Sequence, residues 1–209
     1  MMIHLRPMEI ESRSFEMITE ELDEKKIVLK SSEEAIIKRV IHTSADFDYA
    51  KNLCFSEGAV EIALNALRNG CDIVTDTEMT KSGINKTILA SLGGSVHCFM
   101  GDEKVAAIAK ERETTRAAVS MEAAKNLPKP CIFAIGNAPT ALLRLEELIS
   151  KEGYQPVLII GVPVGFVNVV EAKELIMTTN VPYIVARGRK GGSNVAAAIL
   201  NALLYQIKR

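Results

Sequence analysis

The stretch Gly136-Asn137-Ala138-Pro139-Thr140-Ala141-Leu142 decides the fold class. It follows the apolar run Cys131-Ile132-Phe133-Ala134-Ile135 and opens a helical pattern of apolar residues that continues to Ile149. A buried strand therefore passes through a tight loop directly into a helix, whose first N–H groups lack intrahelical partners. Because the helix macrodipole is positive there, we expect this loop to bind a negatively charged group.

The same order of strand, loop and helix occurs twice more toward the C-terminus. Val157-Leu158-Ile159-Ile160 leads into Gly161-Val162-Pro163-Val164-Gly165, and Pro182-Tyr183-Ile184-Val185-Ala186 leads into the loop 187–193. An amphipathic or apolar helix follows each loop. Three glycine-rich loops after three strands predict one large site for a ligand with several negative groups.

Two shorter strands, 72–76 and 96–100, alternate with helices in the first half of the chain. Apolar strands that alternate with helices predict a mostly parallel sheet covered on both faces, which is a three-layer α/β/α arrangement. In such sheets the ligand lies beyond the carboxyl ends of the strands. The loops at Asp76, Gly136, Gly161 and Arg187 are all expected at that edge.

The 209 residues are 48% hydrophobic and carry a net charge of −1. We expect one core and a single domain over residues 1–209. The near-neutral charge indicates neither nucleic acid nor a membrane surface as a partner, so local Arg, Lys and N–H groups must hold any anionic ligand. No apolar run reaches the length of a membrane span, and the N-terminal segment lacks the apolar stretch of a signal peptide, which favours a cytoplasmic protein.

The cysteine and histidine spacings predict no protein-held metal. The four cysteines show no CxxC spacing and are expected to be free thiols. The three histidines form no HxxxH pair. His97 lies in a predicted strand and is expected to be a core residue, whereas His4 near the N-terminus is expected to be solvated.

Arg39 and His42 are three residues apart near the end of a predicted helix and therefore share a face. A histidine titrates near neutral pH, which suits it to donate or accept a proton in catalysis. A histidine in the last helical turn also caps free carbonyl groups, so a purely structural role is the alternative on position alone.

Further charged residues lie close to the predicted loops. Asp76 ends a strand at the ligand edge, where a carboxylate is able to orient a partner. Four basic residues either pair with carboxylate or phosphate groups of a ligand or remain solvated surface charges. They are Arg116, Arg187, Arg189 and Lys190. The loops match neither GxxxxGK[ST] nor GxGxxG, which disfavours a nucleoside triphosphate or a dinucleotide.

Taken together, these segments make the sequence resemble the precorrin-8X methylmutase family, which includes the cobalt-precorrin-8 enzymes. The matching segments run in family order from about residue 9 to residue 204. They are Ile10–Phe15, Arg39–Thr43, Asp76–Met79, Thr115–Ala118, Gly136–Leu142, Pro163–Val167 with Glu171 and Lys173, and Gly188–Ser193.

The resemblance implies an isomerase of corrin biosynthesis that moves a methyl group on ring C by a 1,5-sigmatropic shift. The product is hydrogenobyrinate on the metal-free route or cobyrinate on the early-cobalt route. The resemblance also implies a flavodoxin-like fold, a homodimer and a corrinoid substrate. A sigmatropic shift needs no nucleophile, no redox cofactor and no enzyme-held metal, so we expect no cofactor.

The family histidine corresponds to His42, and Ser14 and Arg39 correspond to substrate contacts. We expect His42 to protonate the macrocycle or to hydrogen-bond to it, an effect worth about 10²–10⁴-fold in rate. The expected substrate-binding residues are Ser14, Arg39, Thr43, Asp76, Arg116, Gly136, Asn137, Val164, Gly165, Phe166, Arg187, Arg189, Gly191 and Ser193.

Two other classes stay open on the sequence. An α/β enzyme for phosphorylated ligands would use the loop Gly191-Gly192-Ser193 and would bind ATP, NAD or a phosphosugar tightly. A non-catalytic corrinoid carrier would keep its affinity after loss of His42. The sequence also leaves open whether the natural substrate carries cobalt.

Overall fold

The computed structural model describes residues 6–208, so His4 lies outside the described part of the chain. The helices are α1 (Pro7–Glu24), α2 (Ser31–Ser44), α3 (Tyr49–Asn52), α4 (Ala59–Arg68), α5 (Glu78–Gly83), α6 (Lys86–Ser91), α7 (Glu103–Glu111), α8 (Arg116–Ala124), α9 (Pro139–Glu152), α10 (Val169–Met177) and α11 (Ser193–Ile207). The strands are β1 (Leu53–Phe55), β2 (Asp72–Thr75), β3 (Val96–Cys98), β4 (Cys131–Ile135), β5 (Leu158–Gly161) and β6 (Tyr183–Ala186).

The strands form one sheet in the order β1-β6-β5-β4-β2-β3. All neighbours from β2 to β6 are parallel, and the edge strand β1 pairs antiparallel with β6, with Leu53 opposite Ala186. Counted along the chain, the five parallel strands read 2-1-3-4-5, which is the flavodoxin-like order. The predicted mostly parallel, flavodoxin-like sheet is confirmed. The edge strand β1 was not predicted, because three residues are too few to show a periodicity.

Successive side chains of each strand point to opposite faces of the sheet, and each face is covered by helices. In β4, Ile132 and Ala134 pack in a core shared with α2, α4 and α11. Phe133 and Ile135 pack in a second core shared with α8, α9 and α10. The predicted three layers are therefore present. Within residues 6–208, no helix combines the length and the apolar character needed to cross a membrane.

The end of α2 is fixed by a change of backbone conformation. Ala45 adopts the left-handed region, with φ 53°, and its N–H donates to the carbonyl of Ile41 at 2.7 Å. The helix therefore ends at Ser44, and His42 lies in its last turn, as the sequence predicted.

Candidate functional site

His42 is exposed at the end of α2. Its imidazole stacks on the ring of Phe15 from α1, with ring centroids 5.2 Å apart and 8° between the planes. A cavity of about 450 Å³ opens here, and its lining includes Ser14, Met17, Ile41 and His42. The structure therefore places the predicted histidine and the predicted contact Ser14 on one cavity that combines apolar walls with a few polar groups, as ligand sites do.

Arg39, one turn before His42, lies between two aromatic rings. Its guanidinium carbon is 4.7 Å from the ring centroid of Phe15 and 5.2 Å from that of Tyr205. Its Nη1 donates to Oε1 of Glu11 at 2.5 Å, and the side chain is only 15% exposed. Arg39 thus holds α1 against α2 and α11, and any substrate carboxylate has to share its guanidinium with Glu11.

The predicted hydroxyl contacts are also engaged within their helices. Oγ of Ser14 donates to the carbonyl of Ile10 at 2.9 Å, and Oγ1 of Thr43 donates to the carbonyl of Arg39 at 3.0 Å. Each hydroxyl oxygen retains lone pairs that accept hydrogen bonds. Ser14 and Thr43 are therefore suited to accept a hydrogen bond from a ligand, not to donate one.

The anion site predicted at the Gly136 loop is occupied by the protein's own carboxylate. Oδ1 of Asp76 accepts the N–H of Gly136 at 2.8 Å, and Oδ2 accepts those of Asn137 at 2.8 Å and Ala138 at 2.6 Å. Asp76 is 0% exposed. Burial raises the pKa of Asp76 above its usual range, while the three N–H bonds act in the opposite direction.

This arrangement corrects two predictions about direct substrate contact. The Gly136 amide does not face a ligand, and the Asp76 carboxylate does not reach the surface, because each is the other's partner. Asp76 lies at the switch point between β2 and β4, where flavodoxin-like folds hold their ligand. A phosphate at this point would have to displace it.

The glycine-rich loops also pack closely against one another. A Cβ on Gly191 would lie 2.1 Å from the carbonyl oxygen of Val162, and one on Gly136 would lie 2.7 Å from Cα of Ser193. Oγ of Ser193 is 2.8 Å from Oγ1 of Thr77. The glycines are therefore required by contacts between backbones, and Ser193 has an internal partner.

An apolar strip remains exposed after β5. Val164 is 48% exposed, and Phe166 and Val167 are each 79% exposed. The guanidinium of Arg189 lies over the Phe166 ring, 5.3 Å from its centroid, and the carbonyl of Arg189 accepts the N–H of Gly165 at 3.2 Å. Exposed apolar side chains with a cation at their edge suit a ligand that is apolar at its centre and anionic at its rim.

The other predicted loop residues differ in their availability. Arg187 is paired, with Nε 3.1 Å from Oε1 and Nη2 3.3 Å from Oε2 of Glu174. Arg116 is exposed as the first residue of α8, and Asn137 is exposed at the start of the loop before α9. Arg189 and Arg116 are therefore better placed than Arg187 to receive a ligand carboxylate.

Lys173 in α10 was matched in the sequence but given no role, and it is 0% exposed. Its Nζ donates to the carbonyls of Gly188 at 2.8 Å and Lys190 at 2.9 Å. Burial lowers the pKa of Lys173 to about 8. The sequence does contain a signal that Lys173 is buried, because it lies on the apolar face of the helix together with Val169 and Ile176.

The remaining histidine and cysteine predictions have mixed outcomes. His97 is only half-buried, with its side chain 29% exposed, and its Nε2 lies 3.0 Å from Oδ2 of Asp72. It is thus a paired residue of the outermost parallel strand and not a core residue. The four cysteines are free thiols, as predicted, but only Cys71 and Cys131 are buried, whereas Cys54 and Cys98 are half-buried. In the described part of the chain, no group of three or more His, Cys, Asp or Glu side chains is arranged to hold a metal ion.

Fold and site together define a flavodoxin-like α/β/α protein whose switch point is internally occupied. Its surface carries an exposed imidazole, an apolar strip and exposed arginines, which are the candidate ligand contacts. The sequence profile of the precorrin-8X methylmutases matches residues 9–206. The chain belongs to this family, whose members are isomerases of corrin (cobalamin) biosynthesis.

Individual relatives agree with this assignment over nearly the whole chain. A cobalt-precorrin-8 methylmutase of Salmonella typhimurium is 46% identical over 209 residues, covering 97% of each chain. One of Leptospira interrogans is 44% identical over 203 residues, covering 93% of this chain and 91% of the relative. The crystal structure of a precorrin-8x methyl mutase from Thermus thermophilus has a TM-score of 0.84 at 40% identity, covering 94% of this chain and 96% of that one.

Proposed function

We propose that the chain catalyses the 1,5-sigmatropic shift of a methyl group on ring C of a precorrin-8 macrocycle, with His42 activating the substrate. The methyl group leaves the α-carbon of ring C and bonds to the neighbouring β-carbon, while the conjugated double bonds shift. Substrate and product have the same atoms. The enzyme's task is therefore to hold one tautomer and to stabilise the charge that develops.

The observation that carries this proposal is the exposed imidazole of His42, stacked on Phe15 at a cavity of about 450 Å³. Stacking fixes the plane of the imidazole, and the helix end leaves its nitrogen atoms accessible to a ligand. A hydrogen bond or a proton given to the macrocycle draws electron density from ring C. A proton transferred in this way returns to His42 once the methyl group has moved. Such general-acid assistance is worth about 10²–10⁴-fold.

Binding is assigned to groups at the surface of the site. Val164 and Phe166 supply apolar contact for the ring, and Arg189 and Arg116 supply charge for its peripheral carboxylates. Further contacts are assigned to Ser14, Arg39, Thr43, Asn137, Gly165, Arg187, Gly191 and Ser193. Asp76 and Gly136 support the site indirectly by fixing the loop before α9.

We also propose that residues 1–209 form a single domain that acts as a cytoplasmic homodimer. The exposed apolar side chain of Ile10 on α1, at 52%, supplies surface for a second copy. Light scattering coupled to gel filtration tests the assembly, with a single species of about twice the chain mass of 22.8 kDa expected. A species of one chain mass would contradict it.

The test combines binding and turnover. Purified protein is titrated with hydrogenobyrinate by absorbance, and turnover is measured with metal-free and cobalt-containing precorrin-8. We expect tight binding of about one macrocycle per subunit. His42→Ala should bind more weakly or with an altered spectral shift, and should lose at least about 100-fold in turnover. His97→Ala is the matched control, because His97 is the other described histidine and lies in β3, and its turnover should stay near wild type.

Each other outcome favours a different function. Binding without turnover of either substrate by the wild-type protein indicates a corrinoid carrier. Absence of corrin binding together with tight binding of ATP or a phosphosugar indicates an enzyme for phosphorylated ligands. The ratio of kcat/KM values for the two substrates identifies the form that the enzyme prefers.

A further inference from the structure

A buried amine contacts the backbone of the loop that follows β6, here called the basic loop (Arg187–Lys190). Nζ of Lys173 donates to the carbonyls of Gly188 and Lys190 at 2.8 and 2.9 Å. Lys173 is 0% exposed, so removing its charge from water costs free energy that its bonds to these two carbonyls offset in part. An apolar side chain would fill this position without the free-energy cost of burying a charge. The presence of an amine therefore indicates that the backbone of the basic loop has to be held in place.

Ion pairs connect the same loop to the chain segment that follows α2. Nζ of Lys190 lies 2.6 Å from Oδ2 of Asp46 and 2.7 Å from Oδ2 of Asp48. Its bonds to these acids lower the pKa of Asp46 and raise that of Lys190. Asp46 is four residues after His42, so this contact connects the sheet edge to the helix end that carries the imidazole.

The turn between His42 and Asp46 has a conformation that needs support. Ala45 adopts φ 53°, a region that a non-glycine residue occupies at a cost in free energy. Oγ of Ser44 donates to the carbonyl of Val40 at 2.8 Å and accepts the N–H of Asp46 at 3.3 Å. The ion pairs of Lys190 add a tertiary restraint to this local one.

We propose that Lys173 and Lys190 are positioning residues for the methyl shift. Lys173 fixes the backbone of the basic loop, and Lys190 holds the His42 end of α2 against that loop. The two side chains connect Arg189, on one part of the ligand surface, to His42 on another. The proposal rests on the proposed function of His42.

The first test replaces Lys190 by Met and by Arg. Lys190→Met should lower kcat about tenfold and change the Kd for hydrogenobyrinate less than twofold, because the imidazole shifts while the binding surface remains. A displacement of about 1 Å is enough for losses of this size. Lys190→Arg keeps both ion pairs and should retain most of the turnover. Exposed ion pairs contribute little to stability, so Tm should change by no more than about 2 °C.

The control for charge and exposure is Lys151→Met. Lys151 also pairs with an acid, with Nζ 3.2 Å from Oε1 of Glu147, but it lies near the end of α9. Its replacement should leave kcat and Kd unchanged. The double variant D46N/D48N should have the same kcat as Lys190→Met. Combining these two substitutions with Lys190→Met in a triple variant should lower kcat no further. Equal kcat in wild type and Lys190→Met, or additive losses in the triple variant, would overturn the proposal.

Lys173→Met tests the contact between the buried amine and the basic loop. It should raise the Kd for hydrogenobyrinate several-fold as well as lower kcat, because the basic loop carries Arg189. Circular dichroism shows whether the variant folds. Unchanged Kd and kcat in a folded Lys173→Met protein would remove Lys173 from the proposal.

One readout does not depend on activity. The NMR signals of the His42 ring and of the Ala45 methyl group should move in Lys190→Met and stay in place in Lys151→Met. If they do not move, the positioning role fails, whatever the protein catalyses. If they move while wild-type protein neither binds nor converts a corrin, the restraint exists but the proposed function fails.

Discussion

The imidazole of His42 lies nearly parallel to the ring of Phe15, with centroids 5.2 Å apart and 8° between the planes. The contact joins α1 to the last turn of α2 and fixes the plane of the imidazole at the cavity. Phe15 thereby fixes the plane in which His42 presents its ring nitrogens, although the phenyl ring itself takes no part in proton transfer.

We predict that Phe15→Leu lowers kcat about tenfold, because an aliphatic side chain fills space without fixing the plane of the imidazole. The Kd for hydrogenobyrinate should change by less. Phe99→Leu is the matched control, since Phe99 stacks on His97 with 7° between the planes at a centroid distance of 6.2 Å. If both variants lose turnover equally, stacking on His42 is not the cause.

We predict that Asp76→Ala lowers the free energy of unfolding by about 3 kcal/mol, because the N–H groups of Gly136, Asn137 and Ala138 lose their acceptor. The vacated site lies at the start of α9 and should bind a small anion. Formate should therefore restore part of the lost Tm.

The control for this experiment is Asp102→Ala. Asp102 caps α7 by accepting the N–H groups of Lys104 and Val105, but it is exposed. Its loss should cost about 1 kcal/mol, and formate should have no effect, since water reaches the released N–H groups. Equal rescue of both variants would show a general salt effect.

We predict different consequences for two neighbouring arginines. Arg189→Gln should weaken hydrogenobyrinate binding about tenfold, because Arg189 lies at the rim of the apolar strip. Arg187→Gln should weaken it by no more than about threefold, because Glu174 already neutralises that guanidinium. Absorbance titrations at one ionic strength compare the two, and the reverse order would contradict this assignment of charges.

We predict that wild-type protein gains stability over Lys173→Met as pH rises from about 8 to about 10. Burial lowers the pKa of Lys173 to about 8 from an ordinary 10.5, so in this range the unfolded chain binds a proton that the folded chain has released. The free energy of unfolding then rises with pH, by up to about 1.4 kcal/mol per unit from this group.

Urea unfolding of both proteins at a series of pH values measures this difference. Burial raises the pKa of the Cys71 thiol to about 12 and that of Cys131 to about 11, so both thiols lower stability as pH rises. This effect is common to the two proteins and cancels in their difference. Parallel stability curves would mean that Lys173 does not titrate in this range.

The sequence by itself determined the class of fold. The apolar runs of β2 to β6, each followed by a loop and a helix, required a parallel sheet with helices on both faces, because buried strands need cover on both sides. The position of His42 in a last helical turn was also readable, as was its three-residue spacing from Arg39. These properties are local, because periodicity and turn chemistry depend on residues that are only a few positions apart in the sequence.

Tertiary structure alone decided which polar groups face a ligand. The N–H groups before α9 were predicted to bind a negative group of the ligand, yet they bind the carboxylate of Asp76, which is 60 residues away along the chain from Gly136. Likewise, Arg187 is paired with Glu174, Arg39 with Glu11 and Lys190 with Asp46. A sequence shows the charge of a side chain but not its partner, because pairing depends on distances that only the packed fold sets.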